Sequence, residues 1–393
     1  MERLAAWQAL ATAEGRGLLD LLGLRAEPPS AAEISRLRDA HDPEMVVAAI
    51  ELSMARARAQ AKFGDRARVL WADRPGVEMA SSPAVAAWKA ERFRRAHAQS
   101  IDDLCCGIGG DLTALAAIAP ATGADLDPIR AWMAGMNAGC ATRAVDVKSH
   151  PGTATHAHVD PARRTRAGAR AWRAEDLEPP LSAVATMIAG RRGAAVKLGP
   201  GMDLAAEALG MPAEREFIAE GWQLVQQVAW TGDLAGDASI TRATRVDLGC
   251  SIAGRPLDEL PQAARPGRVL FVPHPALERA RLVADCCAPL GAAELAPGLG
   301  VLTGERGAVA AELAPWWQAW DVLEVLPARE RDVARWIAAR GGGIVTVHTR
   351  GGACDPDRWQ TALRGPGDGP MDVFVLREGR ALRAYAVRRI GPA

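Results

Sequence analysis

The sequence predicts an α/β protein built from a helical N-terminal part, a parallel β–α core and a C-terminal α+β module. Three observations carry that prediction. Between residues 99 and 250, short apolar runs alternate with helical stretches, the pattern of parallel β–α units. At the head of that region, Asp102-Asp103-Leu104-Cys105-Cys106-Gly107-Ile108-Gly109-Gly110-Asp111 places a glycine-rich turn just before a helical pattern, residues 112–116. Ahead of it, residues 1–98 carry apolar side chains at helical spacing and few strand signals. A chain of 393 residues also exceeds the roughly 100–200 residues of one domain.

Taken in order, the clearest N-terminal helix runs over 44–63 and is ended by Gly64. Strands are predicted near 100–104, 121–124, 141–145, 157–159 and 194–198, with a closing pair at 222–230 and 241–248. A connection with Gly254-Arg255-Pro256 and Arg265-Pro266-Gly267 leads to a strand at 269–272 and a helix at 275–288. From about Trp317 the pattern gives a helix at 330–340, the glycines 341–343, a strand at 344–347, and a terminal hairpin. Its strands are 371–376 and 381–387, turning at Glu378-Gly379. The expected division is 1–98 (helical), 99–250 (β–α core), 251–316 (connecting α/β segment) and 317–393 (C-terminal module).

Apolar residues make up 49% and charged residues 24% of the chain, as in a soluble protein with real cores. The formal net charge is zero, which excludes a global basic field, so any nucleic-acid surface has to be local. Lysine stands at only four positions, Lys62, Lys89, Lys148 and Lys197, among 47 basic residues. Seven cysteines, with two adjacent pairs, fit neither a disulfide framework nor a C-x-x-C zinc site. They point to a reducing compartment and to no bound metal. Neither a signal peptide nor a membrane-spanning run is evident, so a cytoplasmic location is expected.

Only glycine lets backbone approach a ligand closely, which makes 102–111 a nucleotide cradle. The turn lacks the full G-x-G-x-x-G of dinucleotide-binding loops and ends in Asp111, which a pyrophosphate at the helix N-terminus would disfavour. A phosphate-free nucleoside with an amino acid moiety and a cationic centre fits better: S-adenosylmethionine (SAM). Cys105, Cys106, Gly107, Gly109 and Gly110 are expected to line it. Asp103, before the turn, is expected to orient the loop or take the methionine ammonium. Asp125 ends the second strand, where a carboxylate accepts from both ribose hydroxyls, and Asp146 ends the third, suited to the adenine amino group. Singly, each acid also suits a solvated loop or a helix cap; their order at successive strand ends marks the nucleoside site.

The fourth strand leads into Asp160-Pro161-Ala162-Arg163-Arg164. Methyl transfer from a sulfonium is an in-line displacement, so the enzyme mainly positions the nucleophile. Asp160 is expected to hold a substrate N–H or take a proton, Pro161 to stiffen the turn, and Arg163 and Arg164 to engage a phosphate or a base. The alternative is a proline turn with two surface arginines. Lys197, ending the fifth strand, faces either the acceptor or solvent, and the paired cysteines 105 and 106 pack the turn.

Asp103 to Asp111, Asp125-Leu126-Asp127-Pro128, Asp160 to Arg164 and Lys197-Leu198-Gly199-Pro200-Gly201 together resemble bacterial class I SAM-dependent methyltransferases that end in a THUMP-like domain. Ala61 to Asp65, Pro83 to Ala86, Asp321 to Pro327 and Thr349 to Gly352 are similar to the same family, so the resemblance spans nearly the whole chain. It implies a Rossmann-like methyltransferase core, an N-terminal helical domain, a C-terminal α+β THUMP-like domain, and an RNA substrate inferred from that last module.

Two departures bear on chemistry. Cys105 stands where the usual E/D-x-G-x-G-x-G loop has its first glycine. Ala162 and Arg163 stand where Asn/Asp-Pro-Pro-aromatic enzymes carry a proline and a stacking ring, leaving an exocyclic-amine acceptor open. The Asp-Pro-x-Arg form is also similar to uracil-C5 methyltransferases, but residues 197–203 lack the cysteine nucleophile those enzymes need.

Arg58, Lys62 and Arg66 recur at four-residue spacing, with Phe63 and Trp71 nearby, a pattern suited to RNA backbone and base stacking or to a solvated helix face. Arg350 and Arg164 are further candidate phosphate contacts, and Trp316, Trp317 and Trp320 suit an interdomain packing anchor. The expected function is methylation of a tRNA or rRNA base. A small-molecule or protein methyltransferase, and an inactive SAM-binding RNA adaptor, are the rivals.

Overall fold

A computed structural model describes residues 2–162, 176–205, 208–307 and 312–391. The chain forms two compact units. The first is Met1–Gly221, Val225–Ser239 and Arg245–Cys250; the second is Trp222–Leu224, Ile240–Thr244 and Ser251–Ala393.

The first unit begins with helices whose limits follow local chemistry. Asp42 accepts a hydrogen bond from the Met45 N–H at 2.9 Å and Pro43 opens the helix Pro43–Phe63. Gly64, at φ 56°, stops it. Its buried face of Val46, Ala49, Leu52 and Ala59 packs with Trp7, Leu10 and Leu18, and the small side chains of Ala49 and Ala59 let the helices approach closely. The last helix before the sheet, Pro83–Arg95, is capped by Ser82 and buries Val85, Ala86, Lys89, Ala90 and Phe93.

The strands that follow are β1 (Ile101–Leu104), β2 (Ala121–Asp125), β3 (Thr142–Ala144), β4 (His156–Val159), β5 (Gly193–Leu198), β6 (Ala213–Glu220) and β7 (Gln223–Gly232). Across the first unit their order is β3-β2-β1-β4-β5-β7-β6. The first five are parallel, and β7 runs antiparallel beside β5. Strand succession changes direction between β1 and β4, outward to β2 and β3 on one side and to β5 on the other, the switch point where an open α/β sheet forms its ligand crevice. Register then decides what meets there. Leu104 lies opposite both Ala124 and Val159, so Cys105, Asp125 and Asp160 leave three adjacent strands at one level. Asp125 lies opposite Ala144, which brings Asp146 to the same edge.

The closing pair differs from the expected one. It is β6 with β7, whereas the expected partner at 241–248 is β8 (Thr241–Arg245), most of which lies in the second unit. The reason is electrostatic. Glu214 and Glu216 of β6 are fully buried, which hides the apolar alternation that marks a strand. Arg92 pairs with both carboxylates, and the indole N–H groups of Trp88 and Trp230 donate to Glu216 at 2.8 Å.

The second unit contains most of β8 and of β9 (Cys250–Gly254), with β10 (Val269–Pro273), β11 (Ala292–Glu294), β12 (Leu302–Gly304), β13 (Trp317–Pro327), β14 (Gly342–Thr349), β15 (Gly369–Glu378) and β16 (Ala381–Ile390). Strands β10 to β16 form a seven-stranded sheet ordered β11-β12-β10-β13-β16-β15-β14. All its pairs are antiparallel except β14 with β15. The helix expected at 275–288 is two, Pro275–Arg279 and Val283–Leu290. Trp316, Trp317 and Trp320 are buried within this unit, Trp320 edge-on to Phe374 with ring centres 4.9 Å apart, so they are core residues of one unit.

Candidate functional site

The glycine turn leaves β1 through three left-handed residues: Cys105 at φ 62°, Gly107 at φ 54° and Gly109 at φ 82°. Cys105 thus adopts the backbone conformation of the glycine it replaces, at a cost of roughly 1–2 kcal/mol for a side chain with a Cβ. The Gly109 position is closed sterically, because a Cβ there would stand 2.9 Å from the Ala134 backbone. Gly107 differs: a Cβ would meet nothing within 4 Å, and its own N–H donates to Asp125 Oδ2 at 2.9 Å.

Gly107 faces a cavity of about 570 Å³ at the carboxyl edge of the sheet, within the usual range for small-ligand sites. Cys105, Cys106, Asp125, Asp146, Asp160 and Pro161 line it as well. Gly110 also reaches this cavity, whereas Gly109 lies on a second one behind the loop. Of the described residues in the expected set, the structure therefore gathers all but Asp103 and Gly109 around one space. Arg163 and Arg164 lie outside the described residues.

The carboxylates are held in different ways. Asp125 accepts from the Gly107 and Asp127 N–H groups, each at 2.9 Å; burial pushes its carboxyl up, opposed by those two bonds. Asp146 accepts from the Lys148 N–H at 2.9 Å and is half-buried. Asp160 takes its backbone bond from β1, donating to the Leu104 carbonyl at 3.0 Å, and accepts from the Lys197 ammonium at 2.6 Å. Lys197 is buried, so of its two expected directions it turns away from solvent. Burial and the surrounding carboxylates push the Cys105 and Cys106 thiols up, leaving them unreactive packing groups.

Asp103 does not reach the cavity. It is fully buried and accepts from His158 Nδ1 at 2.7 Å, so the methionine-ammonium role expected of it does not fit its position. Its place belongs to a buried chain that the sequence reading missed. His158 Nε2 lies 3.2 Å from the Lys89 ammonium, which pairs with Asp111 Oδ1 at 2.6 Å. Ser81 donates to the other Asp111 oxygen at 2.9 Å. Burial raises the Asp111 carboxyl, but Lys89, His158 and Lys197 outweigh it and hold it low; burial likewise lowers the Lys89 ammonium against the pull of Asp111. The available signal was Lys89 itself, one helical turn from Val85 and so on the buried face of its helix.

The basic residues expected to meet RNA separate. The Lys62 ammonium donates to the carbonyls of Val77, Glu78 and Ala80 at 2.7, 3.2 and 2.9 Å. All three of its donors are engaged inside the protein, so it does not belong to a free basic face. Arg58 is exposed and pairs with Glu78, and Arg66 is exposed beside the second cavity. Arg350 pairs with Glu278 at 3.0 Å. Among the described residues, no cluster of His, Cys, Asp or Glu is placed to hold a metal ion, and no helix is long and apolar enough to cross a membrane.

A five-strand parallel sheet closed by an antiparallel pair, with a glycine turn after β1 and acids at the ends of β2, β3 and β4, defines the class I methyltransferase fold. Over 344 residues the chain is 31% identical to an uncharacterised S-adenosylmethionine-dependent methyltransferase of Mycobacterium tuberculosis strain H37Rv, covering 84% of this chain and 92% of that protein. The counterpart in strain CDC 1551 matches equally. The chain belongs to that family of SAM-dependent methyltransferases, and SAM is its cofactor. A crystal structure of a Porphyromonas gingivalis W83 protein assigned as a methyltransferase shares the fold, with TM-score 0.71 at 16% identity, over 100% of this chain and 98% of that one. Residues 317–389 match a family described as THUMP domain-like, and residues 3–59 match a domain of unknown function.

The cavity suits this cofactor. The open space above Gly107 admits a ligand against bare backbone, and the carboxylates offer acceptors for hydroxyl, amino and cationic groups.

Proposed function

We propose that the protein methylates RNA, with the acceptor nucleotide presented at Asp160. The observation that carries the RNA part is the THUMP domain-like match at 317–389 in the same chain as the methyltransferase core. SAM supplies an electrophilic methyl group on a sulfonium. In this reading the turn from Cys105 to Gly110 holds it, Asp125 accepts from the ribose hydroxyls and Asp146 from the adenine amino group. Asp160, fixed at the tip of β4, accepts the hydrogen of an acceptor N–H or O–H and takes the proton as the new bond forms. Pro161 stiffens that turn, and Arg163 and Arg164, next in the chain, engage the phosphate or base. Arg58, Arg66 and Arg350 supply backbone contacts. The compartment is the cytoplasm, where such RNA is found.

Tritiated methyl transfer to deproteinised total RNA tests this. Wild-type protein should label RNA, and Asp160→Ala should lower the rate by about 100-fold or more, in the range of a lost proton acceptor. RNA that takes no label while a protein or small-molecule fraction does would refute it. The zero net charge favours that second reading, a smaller acceptor, and RNA affinity indifferent to salt would support it.

A further inference from the structure

Each of the four lysines of this chain contacts residues that line the cavity. Val77, Glu78 and Ala80 offer their carbonyls to Lys62. The intervening Met79 carbonyl accepts from Lys197 at 3.3 Å, and the Ser81 hydroxyl accepts from Lys89 at 3.2 Å. Five consecutive residues are thus each held by a lysine, and the last four of them line the cavity opposite the glycine turn. The fourth lysine, Lys148, bridges Glu178 at 2.9 Å and Asp146 at 3.8 Å, two further lining residues.

The choice of lysine has a physical reason. An ammonium presents three donors from one point and turns to meet converging acceptors, whereas a guanidinium is a planar fork suited to two parallel ones. Where nearly every other basic residue is arginine, lysine stands where a compact donor is required.

Lys197 is the member that reaches the reacting side. Its ammonium contacts both Asp160 Oδ2, at 2.6 Å, and the Met79 carbonyl, joining the tip of β4 to the facing wall. We propose that Lys197 is a positioning residue for methyl transfer, aiming the Asp160 carboxylate into the cavity and tying it to the segment that Lys62 and Lys89 hold. This rests on Asp160 being the residue that meets the acceptor. Without Lys197 the carboxylate is free to rotate, and a misplacement of about 1 Å at a reacting group costs on the order of 100-fold in rate.

The test measures SAM dissociation constants and maximal methyl-transfer rates for wild type, Lys197→Met, Lys197→Arg, Asp160→Asn and the Lys197→Met/Asp160→Asn double variant. Each is assayed on deproteinised RNA and, separately, on nuclease-treated cell extract. Lys197→Met should bind SAM within about threefold of wild type yet transfer methyl about 30-fold more slowly, and Lys197→Arg should recover part of that rate. The double variant should be no slower than Asp160→Asn alone, because Lys197 acts through Asp160. Rate losses that multiply in the double variant, or a Lys197→Met enzyme as fast as wild type, would overturn the proposal. Label in the nuclease-treated extract alone would sink the RNA reading and leave Lys197 to be judged on that acceptor. Wild-type protein that labels neither fraction would overturn both.

Discussion

The buried pair beneath the glycine turn makes a quantitative prediction. Lys89 and Asp111 are 1% and 7% exposed, and their charged atoms are 2.6 Å apart. Removing one partner leaves a charge without its closest counter-ion at a nearly buried position, which costs about 3–5 kcal/mol. Asp111→Leu and Lys89→Met should each lose stability of that size. For a unit of this length the loss corresponds to a fall of roughly 6–20 °C in melting temperature. The double variant, Lys89→Met/Asp111→Leu, removes both charges and should recover most of the loss. About 1 kcal/mol should stay lost for His158 Nε2, then left unsatisfied, whereas the Ser81 hydroxyl keeps the Gln226 carbonyl oxygen as a partner at 3.3 Å. Urea unfolding of the four proteins, closed as a double-mutant cycle, should give a coupling of at least about 2 kcal/mol. Single variants losing under 1 kcal/mol, or losses that simply add, would refute the claim that this pair neutralises the acid of the turn.

Further outcomes follow from the same geometry. Gly107→Ala, at φ 54° with open space around its Cβ, should cost only about 1 kcal/mol of stability but abolish measurable SAM binding. Gly109→Ala, at φ 82° against the Ala134 backbone, should instead lower stability by several kcal/mol; calorimetry and SAM titration together separate the two. Lys62→Met should weaken SAM binding through the wall at Val77–Ala80 while leaving the salt dependence of RNA affinity unchanged, whereas Arg66→Ala should reduce that dependence by about one unit of slope. Asp111 is held below the ordinary carboxylate value, so its contribution is present above about pH 4 and is lost as pH falls through its folded value. The stability gap between wild type and the Lys89→Met/Asp111→Leu variant should be flat from about pH 5 to 8 and change only below pH 4. A gap that changes near pH 6 would assign it to another group.

Much of this architecture is legible in the sequence because it rests on local signals. Each parallel strand of the core lies within a few residues of its expected place, since an apolar run between turn residues has few other uses. The acids at 125, 146 and 160 fall at one edge because β1, β2, β3 and β4 are in register, and spacing after a strand end is a local property. What escaped depends on partners distant in sequence. β6 is hidden because its buried acids, Glu214 and Glu216, are neutralised by Arg92 from a helix more than a hundred residues earlier. Lys62 has the periodicity of a solvated basic face, and only the fold shows three carbonyls meeting it. Asp103 sits where a loop acid belongs, yet His158 from β4 draws it into the interior. Pairing across the fold, rather than any local preference, decides which charged residues face the ligand.

The most direct test compares modified nucleosides, by mass spectrometry, in tRNA and rRNA from cells with and without the gene. The account predicts that one methylated nucleoside disappears in its absence, returns with the wild-type gene, and does not return with Asp160→Ala. An unchanged nucleoside profile in both RNA pools would contradict it.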